Sequence, residues 1–405
     1  MRTSMEGAVM KQIYFSESFF VKYNDLMVEI NSNTISSEEL EGKAPCEYAY
    51  RAMRSQYKNV LSKQFDNIVI LSGAGTSVGI GVGGHTGKTM KELWQSVVCK
   101  IGFDKIRHFA EQIGFTNIDK EYSNLEELIS RAILATEFLN DKTEKIQDLI
   151  SNIEAIIRDC CTIELPDNAP HSLFLRKITS RKLKYARVKL FTLNYDLLFE
   201  QAASRGGYVL VDGFSFNSPR VFDGNNFDYD IVVRSNSRLM TEENYAPKVL
   251  HLYKPHGSLD WKQVIGNGKM SFIKAYPNEN PLLIYPSNSK FKHSYEQPFF
   301  EMISRFQQEI RTKNTLLISI GFSFYDLHFK NMIVEAINTN PGLTVVIASP
   351  DVSNEETYSE LKEKAKTMKN VILAAETFCD FSKSFPYSNI YDFSNEVIED
   401  ESIRQ

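Results

Sequence analysis

Four stretches of the chain are apolar almost without interruption and rich in β-branched residues: NIVILSG (67–73), RVKLFTLNYD (187–196), NTLLISIGFS (314–323) and LTVVIASPD (343–351). Unbroken runs of this kind suit strands covered on both faces, as in a parallel sheet. Each closes on small or polar residues, the pattern expected where strand C-termini open into a ligand crevice. Together they predict an α/β fold built on a doubly wound, Rossmann-like parallel sheet.

Between the first two runs the period changes. Residues 88–182 read as helical. Ser123 and Glu126 form a capping-box pattern ahead of Leu125, Leu128, Ile129, Ala132 and Ile133, and a second stripe runs through Ile146, Leu149, Ile150, Ile153, Ile156 and Ile157. This span is too long for an ordinary crossover and predicts an inserted helical subdomain. Residues 1–64 read as an N-terminal helical region, on the stretch SSEELEGKAPCEYAYRAMRSQYKNVLSKQF. The main domain is expected over 65–352. Within it, 206–250 is rich in Gly, Asn, Asp and Tyr and reads as loops and hairpin-like excursions. Residues 353–405 form a C-terminal extension that completes the fold and ends in an acidic tail.

Composition narrows the function classes. Of 405 residues, 42% are apolar and 24% charged, which is ordinary for a globular protein with a sizeable core. The net charge of −5 comes without a basic block, so nucleic acid as the main partner is unsupported. There is no signal-peptide core and no run long enough to span a membrane. Five cysteines, no C-x-x-C pair and no export signal predict a reducing, cytoplasmic setting and argue against a four-cysteine zinc site.

The first strand runs into IVILSGAGTSVGIGVGGHTGKT (68–89), with seven glycines and a terminal Lys-Thr. A nucleoside-triphosphate loop ending at Gly87-Lys88-Thr89 needs a glycine where Val82 stands, so the spacing fails. A formal G-x-G-x-x-G at Gly79, Gly81 and Gly84 begins well past the strand that it should follow directly. Gly87-Lys88-Thr89 then reads as part of a mobile loop over the pocket. Gly73-Ala74-Gly75-Thr76-Ser77 does follow the strand directly. Its glycines permit close approach to a pyrophosphate, and Thr76 and Ser77 offer hydroxyls; a tight strand-to-helix turn is the alternative. Asn194 and Asp196 share a side of the second strand's end, as ligand-facing groups or as a helix cap or Asx-turn. His256, in YKPHGSLDW, is the histidine best set to move a proton, unless it merely builds a turn. Gly321 and Ser323, after the third strand, could cradle a phosphate or ribose, whereas Asp326 reads as an N-cap.

The order GAGTS after a strand, TLNYD, HG and then GFS after another strand resembles the sirtuin superfamily over about 65–352. Two departures stand out. Only Cys379 follows His256, so the zinc ribbon of protein-deacylating sirtuins is missing and no zinc is expected; the segment after GAGTS also lacks the family's acidic-aromatic-arginine stretch. TLNYD, KPHGSLDW and GFSFYDLHF are more similar to sirtuin-like proteins of bacterial anti-phage defence, which degrade NAD⁺. Only about fifty residues follow VVIASPD, too few for a Thoeris-type sensing domain, so the chain looks most like the stand-alone partner of a HerA-type hexameric ATPase.

That resemblance implies an NAD⁺ glycohydrolase, homo-oligomeric and paired with the ATPase, with NAD⁺ as substrate rather than resident cofactor. It implies that Gly73, Ala74 and Gly75 hold pyrophosphate with Thr76 and Ser77 close by. Asn194 would orient water and ribose, Asp196 would hold the nicotinamide side or stabilise the developing charge, and His256 would contact ribose hydroxyls and act as general base. Gly321 and Ser323 would line the adenosine half, with Ser349 to Asp351 near the adenine ribose. NAD-dependent deacylation and non-enzymatic sensing of NAD or ADP-ribose are the alternatives.

Overall fold

The computed structural model describes residues 10–35, 39–40, 42–138, 143–233, 244–266, 269–276, 281–283 and 297–387. The chain opens with β1 (Lys11–Phe15), β2 (Phe20–Tyr23), β3 (Val28–Ile30) and β4 (Asn33–Ile35), then α1 (Pro45–Leu61) and β5 (Asn67–Ser72). A small hairpin, β6 (Gly81–Val82) and β7 (His85–Thr86), leads to four helices: α2 (Met90–Ile101), α3 (Phe103–Gln112), α4 (Leu125–Phe138) and α5 (Thr143–Cys161). Next come α6 (Pro170–Thr179), β8 (Lys189–Thr192), α7 (Leu198–Arg205), β9 (Val209–Val211) and β10 (Val249–Tyr253). Short pieces follow: β11 (Gly257–Ser258), β12 (Trp261–Gly266), β13 (Lys269–Lys274) and β14 (Leu282–Leu283). The last part holds α8 (Phe299–Ile310), β15 (Thr315–Ile320), α9 (Leu327–Thr339), β16 (Leu343–Ala348), α10 (Glu355–Thr367), β17 (Val371–Ala374) and α11 (Phe378–Ser384).

Among the described residues, eleven strands form one sheet in the order β4-β3-β2-β1-β17-β16-β15-β5-β8-β10-β9. The seven from β17 to β9 are parallel, as the unbroken apolar runs required. Strand order reverses at β5: the chain first builds outward through β8, then returns to place β15 on the other side. Doubly wound sheets open their ligand crevice at such a switch point. Register aligns Ser72 with both Ile320 and Thr192, so the loops after β5, β8 and β15 leave the sheet at one level.

The N-terminal region departs from the helical reading. α1 is helical, but β1 to β4 form an antiparallel meander that extends the sheet past β17. These strands are short, and only Ile13, Tyr14, Phe15, Val21 and Val28 among them are buried. Period-2 alternation over so few residues gives little signal against a longer helical stretch. β9, β10 and β17 join the sheet as well. Thus 206–250 supplies a parallel edge strand in addition to loops, and the C-terminal extension contributes α10, β17 and α11. The acidic tail beyond residue 387 lies outside the described residues.

Two cores separate the chain. The larger surrounds the sheet and includes Phe174, Leu175 and Ile178 of α6, with His171 packed against its members Phe199 and Phe378. The smaller belongs to α2–α5 and is built on Trp94, Val97, Phe109, Phe115, Leu128, Ile129 and Ile153. The inserted helices with a core of their own therefore end at Cys161, short of the expected boundary. α6 packs on the sheet domain as an ordinary crossover helix.

Backbone approach fixes where β5 and β15 end. A Cβ on Gly73 would lie 2.7 Å from Gly321 O and Phe322 Cα, and one on Gly75 would lie 2.7 Å from Gly321 Cα. Gly75 N donates to Gly321 O at 2.8 Å, and Gly321 itself has φ +63°. Gly75→Ala should cost about 3 kcal/mol in urea unfolding, because backbone must shift to admit the methyl group. Gly79→Ala should cost only about 1 kcal/mol: its φ of +74° is left-handed, but the space around it is open.

His171 supplies an acid-sensitive element. It is fully buried with no hydrogen-bond partner among the described residues on either ring nitrogen, edge-on to Phe199 and Phe378 at 4.8 and 4.9 Å. Burial pushes its pKa from 6.5 down to about 3. The unfolded chain therefore binds a proton between those values while the folded protein does not, and stability falls as pH drops through that window. In His171→Leu the urea midpoint should fall less steeply between pH 6.5 and 4.

Candidate active site

The loops after β5, β8, β10 and β15 meet the helical insertion around a cavity of about 570 Å³. That size suits a ligand of drug or dinucleotide dimensions. Its wall includes Gly73, Ala74, Ser77, Asn194, Asp196, His256 and Ser323. These seven candidate residues come from four separate strand ends, and the switch in strand order brings them together.

Asn194 ties two of those ends. Its Nδ2 donates to Gly73 O (3.0 Å), Thr76 Oγ1 (3.1 Å) and Ser77 Oγ (2.8 Å). A carbonyl oxygen can only accept, so the contact with Gly73 fixes the amide's orientation and assigns the nitrogen to the glycine turn. Its Oδ1 is then the atom left for a ligand. Ser77 Oγ passes the chain on, donating to Asp196 Oδ2 at 2.6 Å, while Asp196 Oδ1 accepts from Leu198 N at 3.1 Å. Asp196 thus builds an Asx-turn and lines the cavity at once.

His256 sits in a second pair. Its Nε2 lies 3.1 Å from Asp326 Oδ2, and Asp326 Oδ1 accepts from the His328 and Phe329 amides at 2.9 and 3.3 Å. Burial works against ionisation of Asp326, but His256 and the two helix-end amides outweigh it and hold the carboxyl below its ordinary range. A carboxylate on Nε2 selects the tautomer with the proton there and leaves Nδ1 as the basic nitrogen. Asp326 is accordingly both a cap and the orienting partner of His256. The capping position hid the second role in the sequence.

The other candidates fall behind the wall or away from it. Thr76 Oγ1 turns inward, 2.9 Å from Gly73 O and 2.8 Å from Ser72 Oγ. Gly75 and Gly321 pack against each other and shape the turn without lining the cavity. Ser349 and Asp351 follow β16, outside the cavity wall; Ser349 is buried and its Oγ accepts from Asp351 N at 3.4 Å. Gly87 and Lys88 do line the cavity. Gly87 is bound to Gly79 and Ile80 through its backbone, and a Cβ there would lie 2.1 Å from Ser77 O. Thr89 makes a capping box with Glu92 at the start of α2. The glycine-rich stretch is therefore a hairpin followed by a helix cap.

A buried cation supports the β8 loop from below. Lys254, 2% exposed, donates to the carbonyl oxygens of Tyr195 and Asp196 and to Glu200 Oε1 at 3.0 Å. Burial pushes Glu200 up, and Lys254 draws it back. Beyond it, Lys274 pairs with Asp212 (2.9 Å) and Asp260 (3.0 Å), which fastens β13 to the segment after His256. Among the described residues no group of three or more His, Cys, Asp or Glu side chains could hold a metal ion, and no helix is long and apolar enough to cross a membrane.

Residues 188–369 match the family model of the SIR2-like domain. This span contains Asn194, Asp196, His256 and Asp326 but not the glycine turn. Among solved structures, one described as the crystal structure of a Sir2 homolog–NAD complex is 13% identical over 81% of this chain and 90% of that one, with a TM-score of 0.32. No curated protein matches the chain.

Lys254→Met should cost about 3 kcal/mol in urea unfolding, because Glu200 and two carbonyls lose their donor in a closed setting. Adding Glu200→Gln to it should recover part of the loss, since the stranded charge is then gone.

Proposed function

We propose that the chain is an NAD⁺ glycohydrolase that releases nicotinamide and ADP-ribose. The single observation that carries this reading is the convergence of Asn194, Asp196 and the His256–Asp326 pair on the Gly73–Ser77 turn within one cavity. The SIR2-like match over the span that holds these side chains supports it.

The residues fit a dinucleotide. Gly73, Ala74 and Ser77 are on the cavity wall, and small residues at a strand-end turn let a phosphate come close to the backbone. Breaking the nicotinamide–ribose bond expels a leaving group that is already positively charged in the substrate. No strong acid is needed; the demand is for negative charge near the anomeric carbon and a placed water. Asp196 answers the first. Asn194 Oδ1 answers the second, its amide being fixed by the turn. His256 Nδ1, with Asp326 behind the ring, takes the proton that water loses as its oxygen bonds to the anomeric carbon.

A role in anti-phage defence, homo-oligomerisation and pairing with a HerA-type ATPase are part of the same proposal and rest on the sequence resemblance. Co-purification with an ATPase encoded beside this chain, and a mass above that of one copy, test these.

Purified protein incubated with NAD⁺, with and without an acetylated peptide, should release nicotinamide in both cases. Release only with peptide would make it a deacylase, and binding without release a sensor. Asn194→Ala and His256→Ala should each stay folded and lose about 100-fold or more in turnover. Undiminished release by His256→Ala sinks the assignment.

A further inference from the structure

The helical insertion brings the cavity a carboxyl that the proposed chemistry leaves unused. Sequence pattern pairs Glu126 with Ser123 in a capping box, but α4 is capped otherwise. Asn124 Oδ1 accepts from Glu127 N at 3.1 Å, while Ser123 Oγ accepts from Asp119 N at 2.6 Å and donates to Asp119 O. Released from the helix end, Glu126 lines the cavity together with Tyr122, Tyr325, Asp326 and His256.

The charges around it are unevenly settled. Glu127 pairs with Arg131 at 3.1 Å, Asp196 accepts from Ser77, and Asp326 is held by His256. Lys88, on the same wall, donates to Ser96 Oγ at 2.7 Å. Glu126 makes no ion pair with a described residue and interacts instead with Asp326, a like charge. Tyr122 lies within electrostatic reach of both Tyr325 and Glu126, so two phenol rings share this corner with the two carboxyls. Partial burial at the cavity wall, and then the like charge of Asp326, push Glu126 up to about 8, so near neutral pH its protonated form leads.

Carboxyls beside aromatic faces suit a flat cation. We propose that Glu126 determines specificity at this cavity, selecting the positively charged nicotinamide ring of the oxidised dinucleotide over the neutral ring of the reduced one. The inference rests on the NAD⁺ reading above. As the charged ring enters, the carboxylate form of Glu126 becomes the favoured one, and one proton leaves Glu126 for the buffer. A neutral ring provides no such pull, and Glu126 stays protonated. Affinity for the cation therefore rises with pH through the titration of Glu126, and affinity for the neutral ring does not.

Calorimetric titration of the full chain tests this with two probes, at pH 7 and 9 and in buffers of different ionisation heat. One probe is a carbocyclic NAD⁺ analogue, which keeps the ring charge and cannot be cleaved; the other is NADH. The analogue should bind about tenfold more tightly at pH 9 than at pH 7, with close to one proton released at pH 7. NADH should bind more weakly and equally at both pH values. Glu126→Gln keeps the shape of the neutral acid, so it should retain the wild-type melting temperature, lose the pH dependence and proton release, and narrow the preference several-fold. NADH binding as tightly as the analogue, or a Glu126→Gln variant with unchanged preference and pH dependence, overturns the inference and leaves the NAD⁺ reading standing. Failure of both nucleotides to bind overturns the inference and the NAD⁺ reading together.

Discussion

The site depends on three glycines that press backbone against backbone. Gly73 and Gly75 leave β5 in contact with Gly321 as it leaves β15, at separations that no side chain permits. This contact sets the spacing of the two loops on either side of the sheet's switch point. Asn194 then bonds across to the same turn, and the β8 loop inherits its position. The geometry of the candidate site is thus held mainly by main-chain contacts and one amide, with little rotamer freedom to absorb an error.

What the sequence disclosed follows from how strongly each feature is written locally. β5, β8, β15 and β16 are continuous apolar runs, and their positions were legible to within a few residues. β1 to β4 were not, because short half-buried strands carry a weak period and compete with a longer helical signal. At the site, Asn194 and Asp196 stood out as polar residues closing an apolar strand and His256 as the histidine before a glycine in YKPHGSLDW, and all three line the cavity. Ser349 and Asp351 share that signature, yet the cavity does not reach them. Glu126 and Asp326 were obscured for a different reason: each fits a capping rule, and a residue that satisfies a local rule gives no hint of a second partner far along the chain. Asp326 obeys its rule and binds His256 as well, whereas Glu126 yields its place to Asn124.

Charge is distributed with a similar division between support and chemistry. Lys254 and Lys274 are nearly enclosed, and each is matched to carboxylates or carbonyls on a different loop. Asp260 stays below its ordinary range, because Lys274 and then Lys254 outweigh the burial that opposes its charge. Such pairs are weak sources of stability against an apolar alternative, but breaking one is costly. They suit loops that lack regular structure and must still present His256 and Asp196 at fixed positions.

The separation of the two cores has a consequence for motion. One wall of the cavity belongs to the sheet domain and the other to α2–α5, whose apolar side chains pack chiefly among themselves. Such a unit can part from its neighbour at a free energy below that of global unfolding, exchanging few buried contacts for water. Slow amide exchange should therefore divide the molecule along the cavity, with the strands around β5 as the most protected foldon and the seam at Tyr122 and Tyr325 as the point of entry.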